Sequence, residues 1–446
     1  MLYQLLRFPL VILFFVFYKR IYITGKAALP SQAPTIIASN HSTAFIEQIL
    51  VAGLQKRSVF FWARGSVFEE KWSFPKLFRQ VHLIPIWRPQ EGLKKMQQNQ
   101  QIFKDSKEIL LKGNLFFIAP EGNSVPEKRL RPFKTGTARL ALLAAAEHDF
   151  EREVFISPTG VNYTYHCDFR SEVMLHFGTP IPLKNYQTLY HKSPSLAAQQ
   201  LTKDLKAAIA QEVIIIDSKE DEALAEQLLI LMRNEKQHYH DSFYNTHPHR
   251  LRLEQSVATT CNQLSKSQKI ELSQQANHYF VQLKQLQLTD QAVQQKGQFS
   301  WSNFLRSVLL APLALLGWIG GFLPVTSARY LRNQNVEDPQ FWAAMAMIFS
   351  LLTWLVYSLF IAFLGAFFFD WKAILIPPLL VVLQYISFLH QEYLSEFLNN
   401  RTYRQLLQQQ PQQIQSLQTE RKALAVATEY LILSNLSTSS QDQKNL

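Results

Sequence analysis

Two cysteines in 446 residues, Cys167 and Cys261, leave nothing with which to build a disulfide framework or a thiolate metal site. That scarcity fits a reducing compartment. A G-x-S-x-G elbow is also missing, so no motif points to a covalent serine intermediate. No small-residue cleavage site follows the apolar run from Phe8 to Tyr18; Lys19 and Arg20 stand there instead, which argues against a cleaved signal peptide. The run is about half as long as a spanning helix. An aromatic helix lying in the membrane interface is the expectation for residues 1–29. No recognition motif or aromatic-interleaved basic stripe suggests nucleic acid.

Positive charge and phenylalanine are plentiful. The chain carries 45 Lys+Arg against 34 Asp+Glu, a formal excess of eleven. By itself that balance suits nucleic acid, anionic lipid or phosphorylated substrates equally. Many of the 32 phenylalanines crowd toward the C-terminus, which points to membrane rather than to a larger soluble core.

The pattern divides the chain. Over about 30–215, short apolar segments alternate with helical ones. TIIAS, SVFFWA, HLIPIW, LFFIAP, EVFISPTGVNY and EVMLHFG read as strands, and 44–56, 91–112 and 134–148 as helices. Such alternation predicts an α/β domain with a mainly parallel or mixed sheet. Residues 216–300 are polar, Gln-rich and helical in pattern, and HYHDSFYNTHPHR (238–250) matches no metal-ligand spacing. Its histidines read as solvated.

Within 301–400 lie three apolar stretches, 304–325, 341–369 and 373–390. The second and third are long enough to span a bilayer. Arg329 and Arg332 follow the first stretch, and Arg401 and Arg404 follow the third. Placing both basic groups on one face, as the positive-inside bias prefers, makes 304–325 re-entrant or interfacial and 341–390 a transmembrane helical hairpin. Residues 401–446 read as a polar tail.

The chemistry concentrates in NHSTAFIE, residues 40–47. On one ideal helix His41 and Glu47 would be rotated by about 240° and could not meet. They meet only if His41 lies in the turn before a helix and Glu47 lies inside it. TIIAS ends at Ser39, and Ser42 and Thr43 are suitable N-cap residues, so the corner falls at a strand-to-helix junction. A carboxylate holding one imidazole nitrogen makes the other a base. The plain alternative is a capped helix beside a solvated histidine.

Three more stretches follow in order. HLIPIWRPQEG ends an apolar strand with Arg88, where a substrate anion could be met. FFIAPEGNSVPEKRLRPFKTG ends another in Pro120-Glu121-Gly122, then supplies Ser124, Lys128, Arg129, Arg131 and Lys134. VFISPTGVNY reads as a strand broken by Pro158 and Gly160, lining an apolar slot or serving structure alone.

These four stretches resemble the four sequence blocks of the glycerolipid acyltransferases, the family of glycerol-3-phosphate and 1-acylglycerol-3-phosphate acyltransferases. Most members have a histidine, four residues, then aspartate. NHSTAFIE resembles instead the branch with five intervening residues, to which glycerol-3-phosphate/dihydroxyacetone-phosphate acyltransferases belong, with Glu47 in the aspartate's place. IPIWRPQEG is similar to the second block, PEGNS to the third and ISPTGVNY to the fourth. Ala119 replaces a usual Phe, and the arginine usual after the third-block serine is missing, which leaves Lys128, Arg129, Arg131 and Lys134 as candidates.

The resemblance implies a multi-pass membrane enzyme with its catalytic domain on the cytoplasmic face. It would move a fatty acyl group from acyl-CoA or acyl carrier protein to a hydroxyl of glycerol 3-phosphate or dihydroxyacetone phosphate, without metal or cofactor. Lysophosphatidic acid is the alternative acceptor. His41 would be the base and Glu47 its orienting carboxylate, with Arg88 and the Lys128–Lys134 cluster meeting phosphate. Glu121, Gly122 and Ser124 would position the glycerol. A competing reading is a membrane-anchored protein that binds anionic lipid headgroups without catalysis.

Overall fold

The computed structural model describes residues 2–69, 75–236 and 244–442. The chain divides into two compact units. One comprises Met1–Ile214, Ser242–Pro248 and Asp338–Met347; the other comprises Ile215–Asp241, His249–Glu337 and Ile348–Leu446.

The first unit is built on a sheet with nine strands among the described residues. They are β1 (Arg20–Thr24), β2 (Thr35–Ser39), β3 (Val59–Arg64), β4 (Leu83–Ile86), β5 (Leu115–Ile118), β6 (Phe155–Tyr163), β7 (Glu172–Phe177), β8 (Ile181–Pro182) and β9 (Tyr244–Asn245). Its helices are α1 (Leu2–Phe17), α2 (Ile46–Leu54), α3 (Pro75–Gln80), α4 (Leu93–Gln97), α5 (Asn99–Leu111), α6 (Gly136–Ala146), α7 (Gln187–Lys192) and α8 (Pro194–Ala210). The strand order is β4-β3-β5-β2-β6-β7-β1-β9, with β8 also against β6. From β4 to β6 every pairing is parallel, while β6 runs antiparallel to β7 and β8. The sheet is therefore mixed and mainly parallel, as the alternation of segments predicts.

The central strands are unbroken apolar runs because both faces are covered: every residue of β2 and β5 is buried. Register then does the work that matters for function. Ala38 lies opposite both Ile118 and Pro158, and Arg64 lies opposite Ile86. The carboxyl ends of β2, β3, β4 and β5 consequently share one edge, where open α/β sheets bind ligands. His41, Arg64, Arg88 and Glu121 each stand at or just beyond one of those ends.

Three expectations change in this unit. Residues 1–29 are not a separate interface element: Arg20–Thr24 is a sheet strand parallel to β7, and α1 buries Tyr3, Phe14 and Phe17 in the core. Leu5 and Phe8 on the same helix remain 68% and 72% exposed, so one face keeps the apolar character an interface requires. β6 is not broken at Pro158 and Gly160 but runs continuously, buried for nearly its whole length. Pro158 gives its carbonyl to Gly178 N–H at 2.8 Å, and Gly160 admits the backbone of Glu212 after α8. Both therefore serve packing rather than an apolar slot.

The second unit contains α9 (Glu222–Glu235), α10 (His249–Gln263), α11 (Lys266–Gln285), α12 (Asp290–Gln294) and α13 (Trp301–Asn335). It also contains α14 (Trp342–Phe369) from residue 348 onward, α15 (Ile376–Gln409) and α16 (Pro411–Asp442). Of the histidine-rich stretch, residues 238–243 lie outside the described residues. The expected polar tail is a helical wall instead. Ile414, Leu417 and Leu424 of α16 are buried, and Arg421 pairs with Asp290 at 3.0 Å and Glu235 at 2.8 Å. The Gln-rich composition hid that periodicity.

α13 runs unbroken through 304–325, with Pro312 and Pro324 inside it, so it has none of the chain reversal a re-entrant segment needs. It packs on α15 through small residues, as membrane helices commonly do. Ser387 Oγ donates to Ala314 O at 2.6 Å, and a Cβ on Gly317 would fall 2.0 Å from Leu383 O. Two spans, Trp301–Asn335 and Pro339–Gln409, are long and apolar enough to cross a membrane, the latter containing α14 and α15.

Gly160→Ala tests the β6–α8 junction. The new Cβ would lie 1.9 Å from Glu212 O, a backbone atom that cannot swing away. Forced overpacking of this kind costs about 1–3 kcal/mol. Thermal unfolding of the detergent-solubilised protein should show a lower Tm, and an unchanged Tm would mean the junction is looser than described.

Candidate active site

The corner after β2 is built around one buried carboxylate. α2 begins at Ile46, after Phe45 in a left-handed conformation with φ 69°. Ser42 and Thr43, expected as N-cap residues, do not cap the helix with their side chains. Glu47, in the first turn of α2, reaches back to them. Its Oε1 accepts the Ser42 N–H at 3.0 Å, the Thr43 N–H at 2.6 Å and the Thr43 hydroxyl at 3.0 Å. Glu47 is fully buried, and Oε2 faces His41 Nδ1 at 3.5 Å. That separation lies beyond a hydrogen bond, and neither atom has another partner. Closing the pair needs a shift of about 0.5 Å. His41 therefore lies in the turn, Glu47 inside the helix, and the imidazole is oriented with Nε2 left over for chemistry.

The surroundings hold this arrangement rigidly. Asn40 donates to Val161 O at 2.8 Å and accepts from Val161 N–H at 2.8 Å, fastening the corner to β6 as a strand would. Thr43 Oγ1 lies 3.2 Å from the Tyr163 hydroxyl. Burial, with the charge of Glu47 beside them, holds the Tyr18 and Tyr163 phenols well above the ordinary tyrosine range, so both stay protonated.

The turn after β5 joins His41 to the cations. Glu121 Oε1 accepts the His41 backbone N–H at 3.0 Å, and Oε2 accepts the Arg131 N–H at 3.3 Å. Burial raises the Glu121 pKa. The His41 carbonyl in turn accepts Val125 N–H at 3.1 Å. Arg88 donates to Gly122 O at 2.5 Å and to Asn123 Oδ1 at 2.8 Å. Gly122 has φ 73°, and a Cβ there would come 2.8 Å from Lys134 Nζ. Burial and then the charge of Arg64 lower the Arg88 pKa; burial and then the charge of Arg88 lower that of Lys134. Arg64, Arg88 and Lys134 thus concentrate positive potential beside the Glu121 turn, where an anion could be met.

The other expected cations are placed differently. Arg129 and Arg131 both pair with Glu127, each at 2.9 Å. Lys128 is buried and donates to Thr164 O at 3.3 Å. Lys128 and Arg129 line a small cleft with Asn40, Ser42 and His166. Burial, with Lys128 beside it, pulls the His166 pKa down to about 3, so its ring is neutral. Ser124 donates to Gln340 Oε1 from the segment ahead of α14. Sequence reasoning missed Arg64, Tyr163, the anchoring role of Asn40, and Gln340. Arg64 alone carried a readable signal, a cation ending a strand as Arg88 does.

Residues 20–162 match the protein-family model described as Acyltransferase. An uncharacterized acyltransferase of Schizosaccharomyces pombe is 30% identical over 105 residues, 23% of this chain and 15% of that protein. Glycerol-3-phosphate O-acyltransferase 2 of Saccharomyces cerevisiae is 36% identical over 89 residues, 20% of this chain and 12% of its own. Glycerol-3-phosphate O-acyltransferase 1 of the same yeast is 38% identical over 85 residues, 19% of this chain and 11% of its own. The matches span no more than 15% of these relatives' lengths. Among solved structures, the 1-acyl-sn-glycerophosphate (LPA) acyltransferase PlsC of Thermotoga maritima aligns over 46% of this chain and 81% of its own, at 16% identity and a TM-score of 0.31. Residues 20–162, which hold His41, Glu47, Arg88 and the Glu121 turn, are thus the part of the chain that matches the Acyltransferase model.

Proposed function

We propose that the protein is a multi-pass membrane acyltransferase that acylates a hydroxyl of glycerol 3-phosphate or dihydroxyacetone phosphate, using acyl-CoA or acyl carrier protein as donor. One observation carries the reading: the buried Glu47 carboxylate faces His41 Nδ1 at 3.5 Å, on the sheet edge where Arg88 ends its own block. The names of the two yeast relatives support glycerol 3-phosphate as the acceptor.

The reaction follows from the chemistry of the groups. The acceptor hydroxyl has a pKa far above neutrality and gives its proton to His41 Nε2 as its oxygen attacks the thioester carbonyl. Glu47 stabilises the imidazolium that forms. When the tetrahedral intermediate collapses, the C–S bond breaks and the departing thiolate takes the proton back from His41. The protons and acyl group all come from the two substrates, so the balance calls for no cofactor. Arg88, with Arg64 and Lys134, holds the acceptor's phosphate as a multidentate partner. A cytoplasmic catalytic face suits the basic excess, which anionic lipid headgroups attract. The long acyl chains of donor and product partition into the bilayer.

His41→Ala separates catalysis from lipid binding. Loss of the base should lower kcat by about 10²–10⁴-fold without changing expression or membrane insertion. More than a tenth of parental activity would remove His41 as the base.

Glu47 is tested with two variants compared at saturating substrates on quantified folded protein. Glu47→Gln keeps size but loses the charge, and should be severely impaired in kcat. Glu47→Asp keeps the charge with a shorter reach, and should retain a sizeable fraction. Were Glu47 only a favourable charge in the first helical turn, both variants would lose about 0.3–1 kcal/mol of stability and remain active.

Arg88→Ala should raise KM for the acceptor about tenfold or more while sparing the donor's, since a charged hydrogen bond contributes about 1.5–3 kcal/mol. Assays with palmitoyl-CoA and, in turn, glycerol 3-phosphate, dihydroxyacetone phosphate and lysophosphatidic acid identify the acceptor. Preference for lysophosphatidic acid would overturn the glycerol 3-phosphate assignment.

A further inference from the structure

Asp338–Met347, the end of the link after α13 and the first turns of α14, is part of the first unit, although its neighbours in sequence are among the most apolar residues of the chain. Four contacts fasten it to the acyltransferase domain. The Gln340 backbone carbonyl accepts the Ala44 N–H at 3.1 Å. The Gln340 side-chain carbonyl accepts from Ser124 Oγ. Cys167 Sγ donates to Pro339 O at 3.3 Å, and the ring of Phe341 lies 6.5 Å from that of Phe45. Beyond them Ala343, Ala344 and Met347, at the start of α14, are buried in the same apolar cluster as Ile46, Leu50 and Tyr163.

Gln340 is fixed for this task. Asp338 accepts the Gln340 N–H at 3.2 Å as the cap of a short 3-10 turn, and its second carboxylate oxygen accepts from the Gln340 side-chain amide. With its Nε2 so held, the amide presents Oε1 to Ser124 and its backbone carbonyl to Ala44. Ala44 belongs to the turn between His41 and Glu47, and Ser124 to the turn that carries Glu121, Gly122 and Asn123. One residue therefore ties the turn of the proposed base to the turn beside Arg88. A membrane anchor alone needs no such contacts; they concern the geometry of the site.

We propose that Gln340 is a positioning residue of the acyl-transfer site. Its side chain sets the orientation of the Ser124 hydroxyl for the acceptor, and the Asp338–Phe341 turn holds it against the corner that carries Ala44. The proposal rests on the acyltransferase reading above. It makes the junction ahead of α14 a determinant of acceptor binding.

The test uses the full chain in detergent with palmitoyl-CoA and glycerol 3-phosphate, comparing Gln340→Met, Ser124→Ala and the double variant. Methionine keeps the length and bulk of glutamine and the backbone bond to Ala44, but offers Ser124 no amide acceptor. Losing one neutral hydrogen bond should raise KM for glycerol 3-phosphate about three- to tenfold, with KM for palmitoyl-CoA unchanged. Because Gln340 acts through Ser124, the double variant should be no worse than Ser124→Ala alone. Gln340→Glu keeps an acceptor oxygen for Ser124, and should recover part of the acceptor affinity despite the nearby Asp338. Multiplicative effects of the two single changes, or a fall in Tm and kcat with both KM values unchanged, would overturn the positioning role and leave Gln340 as packing. Parental KM and kcat in Gln340→Met would overturn it as well. The parental protein and His41→Ala assayed alongside separate the two claims: acyl transfer by the parent, lost in His41→Ala, beside a parental Gln340→Met defeats this inference only, whereas no acyl transfer to any acceptor by the parent defeats the acyltransferase reading beneath it.

Discussion

A carboxylate taken entirely out of water costs several kcal/mol unless the fold supplies compensating donors. Glu47 is such a group. Two backbone N–H groups and a hydroxyl converge on one of its oxygens, which obliges residues 42–43 to fold back over the start of α2. That reversal puts Phe45 in a left-handed conformation a phenylalanine rarely takes, at a cost of order 1–3 kcal/mol. A solvated helix start would need none of this. The strain is sustained by Asn40 on β6, Tyr163 behind Thr43 and the Glu121 bond to His41 N–H. What the arrangement yields is a fixed anion facing one nitrogen of a histidine whose side chain is 14% exposed.

The sheet decides which other residues can join that pair. Parallel strands in register end together, so blocks separated by dozens of residues arrive on one edge without long-range guidance. Six strands were readable because each is a short, nearly continuous apolar run, the pattern of a strand covered on both faces. That His41 and Glu47 could meet only with His41 before the helix and Glu47 inside it was readable from geometry, since one helix could not bring them together; that they do face each other was not. Pro158 and Gly160 misled because they ordinarily interrupt strands. Here the Pro158 carbonyl is still used, and Gly160 is required by the close passage of Glu212.

What sequence could not show is which charges are already committed. Lys128, Arg129, Arg131 and Lys134 look equivalent as a run, yet Glu127 takes two of them and the protein interior takes a third. Pairing is a property of side-chain reach in three dimensions, and a linear cluster contains no trace of it. The same limit hid β1, whose five residues follow an aromatic helix and are completed as a strand by β7, some 150 residues later, and by β9 beyond it. It hid α16 too, where apolar positions are diluted among glutamines and become a face only against the helices of its own unit.

Gln340 is the extreme case of that limit, and it changes what the apolar stretches are for. Hydropathy assigns every residue near 341–369 to the membrane, because burial in lipid and burial in protein leave the same composition. Ala343, Ala344 and Met347 are buried in the first unit's own core, whereas Phe367 and Phe368 of the same helix are 73% and 82% exposed. One helix therefore has two environments along its length, a protein interior at its start and an exposed surface, apolar enough for a bilayer, farther on. Its first turns obey the packing rules of a protein interior, where a lost methylene is felt, and its later turns need only be apolar. Sequence changes in the later turns meet few packed neighbours, while changes at 338–347 fall on residues packed in the first unit and, at Gln340, bonded to Ala44 and Ser124. A junction that looks like a membrane boundary is, in its contacts, part of the first unit.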